Sequence, residues 1–216
     1  MENRLEIHIA HLIERYPMLA VCREDIIRAY DLLESTYCNG GKLLVCGNGG
    51  SASDSEHIVG ELMKEFRLKR RVYSEHAAAL KEIDPELGQT LADNLQGALP
   101  AISLTGHSSL QTAFMNDVVP ELVFAQQVNG YGKAGDAFLG ISTSGGSMNV
   151  LYAAVNAKAK GMNVIGLTGA KENRLMRYAD VSIRVPQTET YKIQELHLPV
   201  YHCLCLMLED KFFGNR

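Results

Sequence analysis

Five short apolar runs, each followed by helix-compatible sequence, set the tightest limit on what this chain can fold into. The runs fall at 42–46, 99–104, 137–141, 163–168 and 181–185. Apolarity that is continuous rather than alternating marks strands buried on both faces, and such strands belong to parallel sheets. The stretches between them, 51–66, about 107–129, 147–161 and 173–178, read as helices, and 190–213 reads as a closing helix. This alternation predicts an α/β fold, a three-layer sandwich with a mainly parallel five-stranded sheet flanked by helices. Ahead of the first strand, Leu5, Ile9, Leu12 and Ile13 follow helical spacing up to Pro17, and 18–37 reads as a second helix stopped by Asn39-Gly40-Gly41. Their apolar positions exceed what one small sheet needs to cover, so 1–38 is expected to serve assembly. No repeat or linker divides the 216 residues, and 1–216 reads as a single domain. Residues 67–97 break the rhythm. They predict two short helices broken at Pro85, read as a surface insertion, with a lid over a site as the alternative.

Charge and composition exclude several classes. The net charge is −4 without clustered Lys and Arg, which argues against general binding to nucleic acid or to anionic membranes. The one basic run, Arg67-Leu68-Lys69-Arg70-Arg71, is short, lies beside acidic residues and reads as a solvated segment. No run approaches the roughly 20 apolar residues of a membrane span. The N-terminal stretch is interrupted by charges rather than apolar like a signal core. Five cysteines (22, 38, 46, 203, 205) without CxxC spacing read as reduced, mostly buried thiols, and the expected compartment is the cytoplasm.

Two loops carry the chemistry. The first strand runs into Gly47-Asn48-Gly49-Gly50-Ser51-Ala52-Ser53-Asp54. Its glycines permit a tight turn and close ligand approach, and Ser51 or Ser53 is placed to cap the next helix. No Gly-Lys-Ser/Thr follows and the third-glycine spacing of a dinucleotide fingerprint is missing, so a simple turn and an anion site both stay open for this loop. The third strand runs into Ser142-Thr143-Ser144-Gly145-Gly146-Ser147. Four hydroxyls and two glycines at a helix start make a neutral cradle suited to a small phosphate monoester. His57 and Glu61 share one helix face at i, i+4. They read either as a metal-binding pair or as a surface hydrogen bond.

The motifs Gly47-Asn-Gly-Gly-Ser51, Gly140-Ile-Ser-Thr-Ser-Gly-Gly-Ser147 and Ile193-Gln-Glu-Leu-His197, in that order, resemble the signatures of the sugar isomerase (SIS) domain, and within it the phosphoheptose isomerases. The similarity runs over nearly the whole chain, except for 67–97, which the usual members lack. It implies an enzyme that converts sedoheptulose 7-phosphate to D-glycero-D-manno-heptose 7-phosphate. It implies zinc held by His57, Glu61, Gln194 and His202, with Glu61 as base and His202 as its acid/base partner. It further implies a substrate pocket of Asn48, Gly49, Gly50, Ser51, Ser142, Thr143, Ser144, Ser147, Gln194 and His107, and a homotetramer with sites at subunit interfaces. His107 and Tyr191 stand where many family members carry Asp. Gln194 and His202 are eight positions apart, about 12 Å of helix rise. Either both reach a metal lying between them or different subunits supply them. His197 lies one turn after Gln194 and reads as a helix-surface residue or one supporting the ligands.

An enediol proton transfer between C1 and C2 needs a base and an acid serving the two oxygens, roles for which the resemblance implies Glu61 and His202. Two readings compete. One is a non-catalytic SIS regulator that binds a phosphosugar or a protein such as the replication initiator; its members lack the catalytic pair. The other is a relative of the N-acetylmuramate phosphate etherases, which leaves the His57, Glu61, Gln194 and His202 set unused.

Overall fold

The computed structural model describes residues 2–214, with side chains from Glu6 onward. Leu5, as an apolar position, lies outside the described side chains. Five strands form one parallel sheet: β1 (Leu43–Cys46), β2 (Ala101–Ser103), β3 (Ala137–Ile141), β4 (Asn163–Gly169) and β5 (Val181–Val185), in the order β2-β1-β3-β4-β5. Leu43, Val45, Leu139 and Ile165 face one core, while Leu44, Cys46, Phe138 and Val164 face the other. Burial on both faces is why these segments are apolar throughout.

The first core lies under α1 (Glu2–Arg15), α2 (Arg23–Cys38), α3 (Gly50–Met63) and α9 (Thr190–Phe213). The second lies under α7 (Val123–Tyr131) and α8 (Met148–Ala159), with α6 (Ser108–Asp117) at its margin. Between α3 and β2, α4 (Ser74–Ile83) and α5 (Pro85–Asn94) form a helical hairpin packed mainly on itself. Its hinge is local chemistry. Asp84 accepts from the Glu86 and Leu87 N–H groups at 2.9 and 2.8 Å, and Pro85 occupies the first helical position. The expected break at Pro85 and the surface location both hold.

Three predicted helices differ. The second begins at Arg23, because Pro17–Cys22 forms a 3-10 helix that turns the chain from α1 into α2. The stretch 107–129 is two helices separated by an extended Val119 and a 3-10 turn at Pro120–Leu122, since the residue before a proline avoids the helical region. Residues 173–178 form only a 3-10 turn, Leu175–Arg177. Cys22, Cys46, Cys203 and Cys205 are buried and Cys38 is exposed, all as free thiols. Among the described residues no helix is long and apolar enough to cross a membrane.

The basic run is solvated at Arg67, Lys69 and Arg71, but not at Arg70. Arg70 is 1% exposed and pairs with Glu209, equally buried, at 2.8 Å. Its guanidinium also donates to the Leu62 and Glu61 carbonyls at 2.9 Å each and lies over the Phe213 ring. A planar fork with five donors satisfies a carboxylate and two helix-end carbonyls at once, and this repays the desolvation of the charge. Sequence patterning does not show such partners, because the carboxylate comes from 139 positions away and the carbonyls belong to backbone, which carries no sequence signal.

His197 is also not on a surface. It is fully buried with Ile193, Leu196 and Val200 on the face of α9 that meets the sheet. Burial pushes its pKa down to about 4. A depressed His pKa means that the unfolded chain takes up a proton the folded one refuses, so stability falls as pH drops from the ordinary His value toward about 4. The expected loss is about 2 kcal/mol near pH 5 relative to pH 7. Urea denaturation of the wild type and His197→Leu at the two pH values checks this; the variant is expected to lose less stability on acidification.

Candidate active site

The cradle is built by the turn from β3 into α8. Ser142 and Ser147 hydroxyls lie 3.0 Å apart, and the Ser144 hydroxyl accepts from the Gly146 N–H at 3.2 Å. Gly145 has φ +61°, and a Cβ there would sit 2.1 Å from the Asn173 side chain. Only glycine satisfies both constraints. Asn173 is itself anchored to Thr168 and Lys171. Beside the cradle opens a cavity of about 190 Å³ lined by Thr143, Ser144, Lys171, Gln187, Thr188 and Thr190. The cradle sequence itself is neutral, as expected. Lys171, brought in from the end of β4, supplies a cation that reading the loop alone missed.

The turn from β1 into α3 stands beside it, because β1 and β3 are sheet neighbours. The Asn48 and Asn149 side-chain amides bond reciprocally at 2.9 and 2.8 Å, tying the first loop to the start of α8. Asn149 has no signal in the sequence. Gly49 (φ +55°), not Ser51 or Ser53, is the residue that precedes α3, and no side chain caps the helix; Ser51 lies buried in its first turn. That corrects the capping expectation and leaves the N–H groups of this helix start without a side-chain cap.

The proton-transfer candidates lie further along. α3 and α9 run side by side in the same direction. At their starts the Gln194 amide fills the space beside Gly50, where a Cβ would lie 2.6 Å from its nitrogen. About two turns on, His57 Nδ1 meets the Tyr201 hydroxyl at 2.9 Å, and the His57 and His202 rings pack edge to face at 5.0 Å. His57 Nε2 lies 3.1 Å from Glu61 Oε1. Glu61 Oε2 and His202 Nε2 are buried without hydrogen-bond partners, with Lys64 Nζ 3.9 Å from the former. Tyr201 donates onward to Asp54 at 3.3 Å, and the Phe66 ring packs on His202 at 5.4 Å. Burial, reinforced by His57, holds His202 below the ordinary imidazole value, and burial raises the Asp54 carboxyl.

The structure therefore brings together His57, Glu61 and His202 but not Gln194, which stays beside the first loop. The four expected ligands do not converge within one chain, because eight positions of continuous helix separate Gln194 from His202. Among the described residues no three His, Cys, Asp or Glu side chains stand at metal-holding spacing. His107 precedes α6 with its ring against Tyr131 at 5.6 Å, and no hydrogen bond of its side chain to either loop is found among the described residues. Tyr191 is exposed in the first turn of α9. Tyr201, Asp54, Asn149 and Lys171 are the residues that sequence reasoning missed.

Comparison with known proteins agrees with this architecture. Residues 73–169 match the SIS domain model. The phosphoheptose isomerase of Rhodospirillum rubrum is 35% identical over 97% of this chain and 98% of its own. That of Burkholderia pseudomallei is 34% identical over the full length of both. The chain belongs to the phosphoheptose isomerase family. Among solved structures, phosphoheptose isomerase GmhA from Neisseria gonorrhoeae aligns with a TM-score of 0.70 at 32% identity over 94% of this chain and 96% of that one. The phosphoheptose isomerase of Francisella tularensis aligns at 0.71 and 33% identity, over 87% of this chain and 86% of its own. The three-layer fold expected from the strand–helix alternation is thus the fold of the phosphoheptose isomerases.

The cradle geometry yields a direct test. Gly145→Ala forces a left-handed backbone on a residue with a Cβ and collides with Asn173, at a cost of about 1–3 kcal/mol. The expected outcome is a lower melting temperature and at least about tenfold weaker binding of a phosphosugar by calorimetry.

Proposed function

We propose that this chain is a sugar-phosphate aldose–ketose isomerase acting on sedoheptulose 7-phosphate to form D-glycero-D-manno-heptose 7-phosphate. The observation that carries the reading is the placement of Glu61 and His202. Both present a buried polar atom with no partner, on adjoining helices that also start beside a hydroxyl-lined phosphate cradle. In the proposal, Ser142, Thr143, Ser144 and Ser147, with Asn48, Gly49, Gly50 and Ser51, receive the phosphate and neighbouring hydroxyls. Gln194 and His107 serve the sugar. Glu61 Oε2 takes the proton from C1 of the ketose, and the C1–C2 bond gains enediol character as the C2 carbonyl takes up a proton. Glu61 then returns the proton to C2 while the C1 hydroxyl loses its own to become the aldehyde. His202, held neutral by burial, relays the oxygen-bound proton between O1 and O2.

Zinc is part of the proposal. With Tyr201 donating to Asp54, its oxygen accepts from His57 Nδ1–H, which turns the Nε2 lone pair toward Glu61. A cation between the two relieves that opposition, and nitrogen and oxygen donors of this kind suit zinc. His57 and Glu61, 3.1 Å apart, would hold it, with His202 closing on the ion and Gln194 completing the set from another copy of the chain. Bound there, the ion would polarise the substrate oxygens. The proposed assembly is a homotetramer with sites at its interfaces, supported by the exposed Ile7, Met18 and Val21 on the N-terminal segment. The proposed compartment is the cytoplasm.

Glu61→Gln and His202→Ala are each expected to lower kcat by about 10²–10⁴ while KM changes only a few-fold. An isomerisation assay on C5–C7 ketose phosphates, with and without chelator and with metal analysis of the protein, checks this. Activity surviving both substitutions overturns the mechanism, and activity indifferent to metal removal overturns zinc. Light scattering on the eluting protein is expected to give a four-copy mass, and a clean monomer overturns the assembly.

A further inference from the structure

The buried ion pair between Arg70 and Glu209 touches both halves of the proton-transfer pair. Arg70 Nη2 donates to the Glu61 carbonyl and Nη1 to that of Leu62, so the guanidinium grips the last turn of α3 at the residue that carries the carboxylate. Arg70 Nε donates to Glu209 Oε1. The same Glu209 oxygen accepts from the Phe66 N–H at 2.9 Å, and Oε2 accepts from Arg67 N–H at 2.9 Å. Phe66, fixed in this way, lays its ring on His202. Glu209 is rooted on α9, the same helix as His202. One carboxylate and one guanidinium thus link the Glu61 backbone, the ring over His202, and the helix that carries His202.

We propose that Arg70 and Glu209 are positioning residues for the isomerase reaction, their ion pair fixing the distance and orientation between Glu61 and His202. The assignment rests on the isomerase reading above. The phosphate cradle lies at the opposite end of α3, so loosening the clamp moves the reacting pair and leaves substrate capture in place. Proton transfer depends on geometry at the scale of an ångström, and a misplacement of that size costs about a hundredfold in rate. Lysine cannot replace the arginine. It is a single ammonium on a flexible stem and does not present the planar fork that grips two carbonyls and a carboxylate together.

The test is steady-state kinetics of the full-length protein on sedoheptulose 7-phosphate, with circular dichroism and light scattering as controls for fold and assembly. Arg70→Lys is expected to remain folded, to keep KM within about threefold, and to lose at least about tenfold in kcat. Arg70→Ala assayed with added guanidinium ion is expected to regain kcat, because the small cation fills the vacated site between Glu209 and the two carbonyls. Should Arg70→Lys not fold, the isosteric Glu209→Gln carries the same split between kcat and KM. A folded Arg70→Lys with wild-type kcat overturns the assignment. So does a variant whose apparent kcat falls only in proportion to its lost folded protein, with no response to guanidinium. A wild type that isomerises no ketose phosphate overturns the functional reading and this assignment with it. An active wild type with an unaffected Arg70→Lys overturns the assignment alone.

Discussion

The pairing of β1 with β3 is the constraint on which the rest of the molecule depends. The paired residues are 94 positions apart in the chain, yet Leu43 to Cys46 lie in register with Ala137 to Gly140. From this pair the sheet is built outward in both directions, to β2 on one side and to β4 and β5 on the other. Where strand order reverses in this way, the loops leaving adjacent strands diverge and open a crevice at their carboxyl ends. The two Gly- and Ser-rich turns occupy that crevice, and the reciprocal amide bonds of Asn48 and Asn149 join them. The hydroxyl-lined crevice therefore follows from strand order as much as from the residues of its two turns.

The second constraint is the parallel packing of α3 on α9. It sets a ladder of facing residues, with Gly50 beside Gln194 at one level and His57 beside Tyr201 and His202 two turns further along. The ladder puts the uncapped N–H groups beside the hydroxyl-lined turn at the start of α3, and His57, Glu61 and His202 toward its end. It also keeps Gln194 and His202 apart, because neighbouring helices of fixed pitch cannot fold one residue onto another eight positions away. At its far end the ladder is closed by charge rather than by apolar packing. Arg70 and Glu209 would each be costly to bury alone, and together they satisfy helix-end carbonyls, loop N–H groups and one another. The chain segment after α3 is thereby folded back under α9 before it leaves for the projecting hairpin.

Much of this was legible in the residues. Continuous apolar runs located all five strands, the closing helix kept its bounds at Thr190 and Phe213, and Asp84-Pro85 broke the insertion where expected. Those features are local: they depend on side-chain apolarity, backbone φ and capping chemistry within a few residues. The misreadings share a cause. Arg70 looked solvated because its neighbours in sequence are charged, and His197 looked like a surface or supporting residue because it sits one turn from Gln194. In both cases the deciding partner is far away in the chain, Glu209 for Arg70 and the sheet for His197.

By itself the sequence determined the order of the five strands, the glycine- and hydroxyl-rich character of two turns, and the pairing of His57 with Glu61 on one helical face. Each of these is set by interactions over a turn or two of backbone. Only the tertiary structure decided which turns become neighbours, which of the candidate side chains meet, and which charges leave water. Those outcomes depend on strand order and on how two helices lie against each other, and such contacts have no periodicity along a single stretch of chain. Lys171 beside the cradle, Tyr201 behind His57 and the buried Arg70 are products of that packing.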